Sequence, residues 1–418
     1  MVRMLYRVDS PAEITRAAES LRRSVQETEL SPDCVMGVFE RWSRHLDSRE
    51  LDDFPGIVFL RMWLRRGTLE SIVTRELGVA GVHGQWMESA RAECKAFPLG
   101  VIGHWPAGNV EIQPILSMTC ALLGGNAALV RIPSGLDELL QRLMERLEHS
   151  DPGRLLTSRI FLAAFDHNRD DLHESMAREV DGAMIWGGKD AVLRVRSLPF
   201  PHWARIAVFG PRISVAAMDA GTWTDSAKRD TWCLRLARDV WQFDQQACSS
   251  PHVLFLERSA GHPIEPFVEC LRRAFEAENR SHRRKAIVAS QTSKIAQARA
   301  AWLLNDTAHR AIFPPSPDWT LLIGSGPDIP EPVQGKTLTV LEVDSLADAI
   351  GKLDGNVQAL GLGMADSERE RQLTSLAARR GVDRIVKLGR MHVFTSPWDG
   401  MDLIRPMVRI VRYVSSAE

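Results

Sequence analysis

From residue 97 onward, short apolar stretches alternate with amphipathic ones at a spacing that few folds accommodate. Residues 97–103 and 127–132 read as strands flanking a helix over 111–123. A helix over 136–149, a strand over 158–165, a helix over 170–179, a strand over 183–186, a helix from 191 and a strand over 205–209 follow. Strand, crossover helix and next strand at this length form right-handed βαβ units, and a series of them builds a parallel sheet covered on both faces. A second series begins near 222. It has a helix to 243, a cysteine-bearing loop, a strand, a helix over 264–279 and a polar helical stretch to about 311. Strands at 319–323 and 337–341, a helix at 345–353 and a strand near 360–364 complete it, with loops at 314–318 and 324–335. Ahead of both, residues 11–98 read mostly as amphipathic helices. At 418 residues the expectation is two α/β domains, with boundaries at 1–221, 222–397 and a closing segment 398–418.

The segment 112–130 carries no charge and is long enough to suggest a membrane span. Gln113, Pro114, Ser117, Thr119, Gly124, Gly125 and Asn126 dilute it, so a buried helix, a glycine turn and a strand describe it better. The net charge of −1 gives no reason to expect nucleic acid or a membrane surface as partner. The basic run at 280–285 reads as a solvated helix face, or as a patch that steers an anionic carrier. Six cysteines without CxxC spacing, and histidines without an HExxH pattern, argue against zinc and for a reducing cytoplasm. The first nine residues lack the apolar core of a secretory signal.

Cys248 lies in Asp244-Gln245-Gln246-Ala247-Cys248-Ser249-Ser250-Pro251, just ahead of the apolar run Val253-Leu254-Phe255-Leu256. Gln, Ser and Pro pack poorly in a core but make a turn that a small substrate can approach, so the thiol reads as a nucleophile for an acyl group. Such a nucleophile needs oxyanion donors placed in advance. Asn109, between the strand at 97–103 and the helix at 111–123, could supply one, or could simply cap that helix. Trp186-Gly187-Gly188-Lys189 follows a strand and opens a helix, which suits a phosphate group. It is not a P-loop, since Gly182 is one residue too early and Asp190 replaces the Ser or Thr. Gly361-Leu362-Gly363 lacks a third glycine. Arg131-Ile132-Pro133-Ser134-Gly135, at a strand end, could hold a ribose or its phosphate.

These residues resemble a known family. Trp105-Pro106-Ala107-Gly108-Asn109 through Gly125-Asn126 to Pro133-Ser134 is similar to the first cofactor-binding segment of the aldehyde dehydrogenase superfamily. Trp186-Gly187-Gly188, Phe209-Gly210-Pro211-Arg212 with Ser214, the Cys248 segment, and the tail Gly381-Val382-Asp383-Arg384, Gly389-Arg390-Met391 and Pro397-Trp398-Asp399-Gly400 resemble more narrowly the LuxC-type acyl-CoA reductases. The resemblance implies an aldehyde-dehydrogenase-like α/β fold, with a Rossmann-type cofactor domain and a second, catalytic α/β domain. It implies Cys248 as the acyl-accepting nucleophile, and Asn109 with the Cys248 N–H as the oxyanion hole. Arg131, Pro133, Ser134, Trp186, Gly187, Gly188 and Gly210 would line the cofactor site. Arg131 stands where a ribose-binding lysine is usual, and Gly135 where NAD-preferring members carry an acid, which leans towards NADPH, with NADH as the alternative.

Two departures stand out. The segment matching the water-activating glutamate of hydrolytic members is Val208-Phe209-Gly210-Pro211, without a carboxylate. No clear counterpart of the nicotinamide-ribose glutamate appears near 332–340. The first departure implies transfer to and from a thiol in place of water. The implied reaction is NAD(P)H-dependent reduction of an acyl thioester to an aldehyde. The donor would be acyl-CoA or an acyl carrier or acyl protein, delivered in some cases by a partner synthetase, and the enzyme a homo-oligomer. A hydrolytic aldehyde dehydrogenase, a cysteine-dependent acyltransferase without nicotinamide, and a scaffold without turnover are the competing readings.

Overall fold

The computed structural model describes residues 4–47, 51, 54, 56–89, 92–282, 287–304 and 309–414. Residues 283–285 of the basic run lie outside the described residues. The chain divides into two compact units, Met1–Gly210 with Phe394–Glu418, and Pro211–Val393.

The first unit holds a six-stranded, all-parallel sheet. Its order is Leu5–Arg7, Ile160–Ala164, Ala127–Arg131, Val101–Trp105, Gly182–Trp186, Arg205–Phe209. Val101–Trp105 and Gly182–Trp186 are buried along their whole length, as strands between two helical layers must be. The uncharged segment resolves as the wholly buried helix Gln113–Leu123, the turn at Gly124-Gly125 (φ of Gly125 +78°) and the strand Ala127–Arg131. Arg159, at the foot of Ile160–Ala164, is fully buried, and burial brings its pKa down to about 10. It donates to the carbonyls of Gly125, Ser24 (3.0 Å) and Thr28, so it caps the C-terminal end of helix Pro11–Glu27, where a cation is favoured.

Residues 97–103 do not form one strand. Pro98 ends Ala92–Pro98, and Val101 begins the next strand after Gly100 (φ +142°). Ala92–Pro98 pairs antiparallel with Met87–Ser89 and with Val408–Tyr413, forming a separate three-stranded sheet. Glu76, on helix Arg66–Val82, draws the carboxyl-terminal segment into this unit. Its buried carboxylate accepts from the N–H groups of Leu403 (2.9 Å), Ile404 (2.6 Å) and Arg405 (2.8 Å) and from the Ser396 hydroxyl.

The second unit holds a seven-stranded sheet in the order Arg310–Ile312, Thr320–Ser325, Thr337–Val343, Pro251–Glu257, Ile213–Met218, Val357–Gly363, Arg384–Lys387. All pairings are parallel except that of the edge strand Arg310–Ile312. Here the expected boundaries need correction. The units part at Gly210–Pro211 and Val393–Phe394, instead of 221–222 and 397–398. The reason is Ile213–Met218, which pairs with Pro251–Glu257 on one side and Val357–Gly363 on the other, deep inside the second sheet. Among the described residues, no helix is long and apolar enough to cross a membrane, and no group of three His, Cys, Asp or Glu side chains could hold a metal ion.

Candidate active site

In the first unit, the connections running from Val101–Trp105 go to one side of the sheet and those from Gly182–Trp186 to the other. The crevice at the carboxyl ends of such diverging strands is where open α/β sheets bind ligands. A cavity of about 180 Å³ lies there, walled by Trp105, Pro106, Arg131, His173, Trp186 and Arg194. The Trp105 indole N–H donates to His173 Nδ1 (3.0 Å), which leaves the ring proton on Nε2. Burial, helped by Arg131 and Arg194, takes the His173 pKa down to about 4, so the ring is neutral. Arg131 lies 6.0 Å over the Phe165 ring, and its buried Nε has no hydrogen-bond partner among the described residues. Burial and then the nearby Arg194 lower its pKa, while Asp166 and Asp137 oppose the shift.

Trp186 is a wall of this cavity more than a free contact. Its ring stacks on Phe209 (3.7 Å between centroids), and its N–H donates to Ser117 Oγ (2.9 Å), which lies 2.8 Å from Nδ1 of buried His104. Gly187 has φ +153°, and a Cβ there would press on Ala191 at 3.3 Å. Gly188 caps helix Lys189–Arg196, and a Cβ at Gly188 or at Gly210 would meet nothing within 4 Å. Those two glycines leave open space beside backbone amides, which is what a pyrophosphate needs. Pro133 is buried against the Asn109 loop, 3.2 Å from where a Gly108 Cβ would stand, and Ser134 is exposed in the following turn. Asn109 is exposed, and it does not cap the helix: Ile112 holds the cap position, while Gln113 Oε1 accepts from Ala107 N–H (2.9 Å).

Cys248 belongs to the second unit, half-buried, in a turn closed by Ser250 N–H donating to the Ala247 carbonyl (2.9 Å). This turn precedes strand Pro251–Glu257, so the thiol stands at the amino end of the parallel strands. Three consecutive non-glycine residues before it, Phe243, Asp244 and Gln245, have φ of +55°, +53° and +60°. Left-handed backbone costs on the order of 1–2 kcal/mol per residue, so surrounding bonds must hold it. The Gln245 amide donates to the carbonyls of Pro251 (2.9 Å) and Thr337 (2.8 Å) and accepts from Thr337 N–H (2.8 Å). Lys336 pairs with Asp244 at 2.8 Å. Ser214 Oγ donates to the Cys248 carbonyl (2.7 Å).

The structure thus gathers Arg131 and Trp186 around one cavity, with Gly187 and Gly188 following Trp186, and it gives Cys248 a separate, braced turn. Lys336, Asp239 and His392 are site neighbours that no motif marked. Ser249 Oγ lies 2.9 Å from His392 Nδ1, next in sequence to the Gly389-Arg390-Met391 match, which was the one available signal. Other parts of the tail motif hold the sheet together. Arg212 pairs with Asp383 and donates to the carbonyls of Val357 (3.0 Å) and Gly381 (2.8 Å).

Comparisons with known proteins agree on one family. Residues 33–412 match the family model described as acyl-CoA reductase (LuxC). The chain is 24% identical over 358 residues to the long-chain acyl-protein thioester reductase of Vibrio harveyi, covering 84% of this chain and 71% of that one. It is 25% identical over 359 residues to the protein of the same name from Photorhabdus laumondii, covering 84% and 70%. An aldehyde dehydrogenase from Brucella melitensis biovar abortus superposes with a TM-score of 0.72 at 11% identity, over 97% of this chain and 90% of that one. Glyceraldehyde-3-phosphate dehydrogenase GapN from Methanocaldococcus jannaschii, solved with NADP, gives 0.72 at 11% identity over 98% and 96%. At that identity the likeness is one of fold. The chain therefore has the aldehyde dehydrogenase fold and belongs to the LuxC family of acyl-CoA reductases.

Proposed function

We propose that this protein reduces a long-chain acyl thioester to the aldehyde through an acyl-Cys248 intermediate, with NADPH as the preferred reductant. The observation that carries the reading is the Cys248 turn, a half-buried thiol on backbone held in a costly conformation by Gln245, Lys336 and Ser214. The Cys248 thiolate attacks the thioester carbonyl, and the thioester's own C–S bond then breaks to release the donor thiolate, leaving the acyl group on Cys248. The Cys248 backbone N–H and the Asn109 amide are the donors assigned to the developing oxyanion. The absence of a carboxylate from Val208–Pro211 leaves no residue in that segment to activate water, which favours an acyl-enzyme that survives until it is reduced.

The residues of the first unit fit a nicotinamide dinucleotide. Gly188 and Gly210 leave the space a Cβ would fill, and the unpartnered Arg131 Nε borders the cavity. When bound, the dinucleotide supplies a hydride. Arg131 favours a 2′-phosphate by charge, while Pro133, Ser134, Trp186 and Gly187 shape the approach to ribose and pyrophosphate. The relatives' name, acyl-protein thioester reductase, makes an acyl protein charged by a partner synthetase the first donor to test, with acyl-CoA second. The same reading includes a cytoplasmic homo-oligomer joined through strand Val408–Tyr413, whose Ile410 and Tyr413 are exposed on the edge of the three-stranded sheet.

A panel of acyl-CoAs with NADPH, followed by cofactor oxidation and aldehyde analysis, tests the reading. Aldehyde is expected with wild type. With Cys248→Ala, turnover should drop at least about 10⁴-fold and the acyl adduct should vanish from the intact mass. Near-normal reduction by Cys248→Ala would sink the scheme. Acyl transfer without NADPH would favour an acyltransferase.

A further inference from the structure

One histidine braces the Cys248 turn at both shoulders. His392 is buried, and its ring meets Phe243 edge-on, with centroids 5.5 Å apart and planes at 74°. Its Nε2 lies 2.7 Å from the Asp239 carbonyl oxygen. A carbonyl can only accept, so Nε2 carries the ring proton and Nδ1 is left as an acceptor. The Ser249 hydroxyl, 2.9 Å from Nδ1, therefore donates to it. Burial keeps the ring neutral, with its pKa down to about 4. The Asp239 carboxylate fixes the segment that carries His392, accepting from the N–H groups of Gly389 (2.5 Å) and Met391 (3.3 Å). Phe243 opens the left-handed run before Cys248 and Ser249 follows Cys248 directly, so a single ring touches both flanks of the nucleophile.

We propose that His392 is a positioning residue for Cys248, holding the Ser249 hydroxyl and the Phe243 ring so that the Cys248–Ser249 peptide keeps one orientation. That peptide begins at the α-carbon that bears the thiol and holds the Ser249 N–H, with the Cys248 N–H on the other side of the same α-carbon, so its orientation sets the angle of attack on the acyl carbonyl. Three left-handed residues in a row would relax if the brace were lost. The inference rests on the reading of Cys248 as the acyl-accepting nucleophile.

The test measures single-turnover acylation of Cys248 by a long-chain acyl-CoA, using rapid quench and intact mass, in Ser249→Ala, His392→Phe and His392→Asn. Phe keeps the edge contact with Phe243 and removes both ring nitrogens, whereas Asn restores an acceptor near the Nδ1 position. Acylation is expected to slow about 10- to 100-fold in Ser249→Ala and His392→Phe, the cost of a small misplacement at a reacting centre. His392→Asn should recover most of the rate, and the NADPH dissociation constant should not move in any variant. Wild-type acylation by Ser249→Ala, or a His392→Asn as slow as His392→Phe, overturns the inference. If His392→Phe does not fold, Ser249→Ala, which loses a single oxygen, decides. Cys248→Ser assayed in parallel separates the two failures. A Cys248→Ser enzyme that still makes aldehyde at the wild-type rate sinks the nucleophile itself. A dead Cys248→Ser beside fully active Ser249 and His392 variants sinks only the brace.

Discussion

Both large sheets are parallel, apart from one edge strand of the second, and buried on two faces, yet they present their chemistry from opposite ends. The first offers loops at the carboxyl ends of Val101–Trp105 and Gly182–Trp186, with space left open at Gly188 and Gly210. The second offers Cys248 at the amino end of Pro251–Glu257, on a turn held by an amide with three hydrogen bonds, an ion pair and two serines. A dinucleotide brings its own shape and charge, so its site needs room and unspent donors. A nucleophile, the role we propose for Cys248, must meet a carbonyl at one angle, so its site spends donors on rigidity.

Acid should distinguish the units most strongly. Each buries two histidines as neutral rings: His104 (about 3) and His173 (about 4) in the first, His252 and His392 (both about 4) in the second. Their folded pKa values lie below the usual 6.5, so their contribution is full above pH 6.5 and is lost as pH falls towards 4. Asp239 has the opposite sign, because burial raises its pKa to about 7, and its contribution is present at low pH and lost as pH rises through 7. Between pH 6 and 5 the first unit should therefore lose stability with a slope of about two protons, or about 2.7 kcal/mol per pH unit, and the second with about half that. Peptide-resolved hydrogen exchange across that window checks it, and equal slopes would contradict the assignment.

Gln245→Ala removes three buried hydrogen bonds and should destabilise the second unit by about 3 kcal/mol in denaturant titration, slowing acylation while NADPH binding holds. Arg131→Gln should lower the NADPH-to-NADH affinity ratio by about 10- to 100-fold with little effect on stability, read by fluorescence titration of both dinucleotides. Gly188→Ala probes the open space directly. Its φ of −69° suits alanine, so the melting temperature should stay level while dinucleotide affinity falls about tenfold. A stability loss without an affinity loss would make Gly188 a structural glycine and remove the contrast between the units.

The first unit's parallel sheet was legible because each strand is apolar and each helix amphipathic over enough residues to show a period. Leu5–Arg7 and Arg384–Lys387 escaped notice as three- and four-residue strands on sheet edges, where burial and hence hydrophobic patterning are weak. Ile213–Met218 is central, yet it follows the strand ending at Phe209 and Pro211 so closely that the sequence reading gives it no element of its own, and the domain boundary moved with it. Cys248 was found because its loop composition is wrong for a core. The left-handed run before it was not, because no glycine announces it. His392 lies 143 residues from Ser249, a separation at which a hydrogen bond leaves no local pattern.

Glu76 and the N–H groups it gathers at Leu403 are 327 residues apart, and the whole second unit is threaded between them. During synthesis the seven-stranded sheet emerges while the first unit is still missing its strand Val408–Tyr413. Until residues 403–405 leave the ribosome, the carboxylate that will be buried on helix Arg66–Val82 has only water for donors. The unit begun first is closed last, and its final buried hydrogen bonds form only after the seven-stranded sheet has had time to fold.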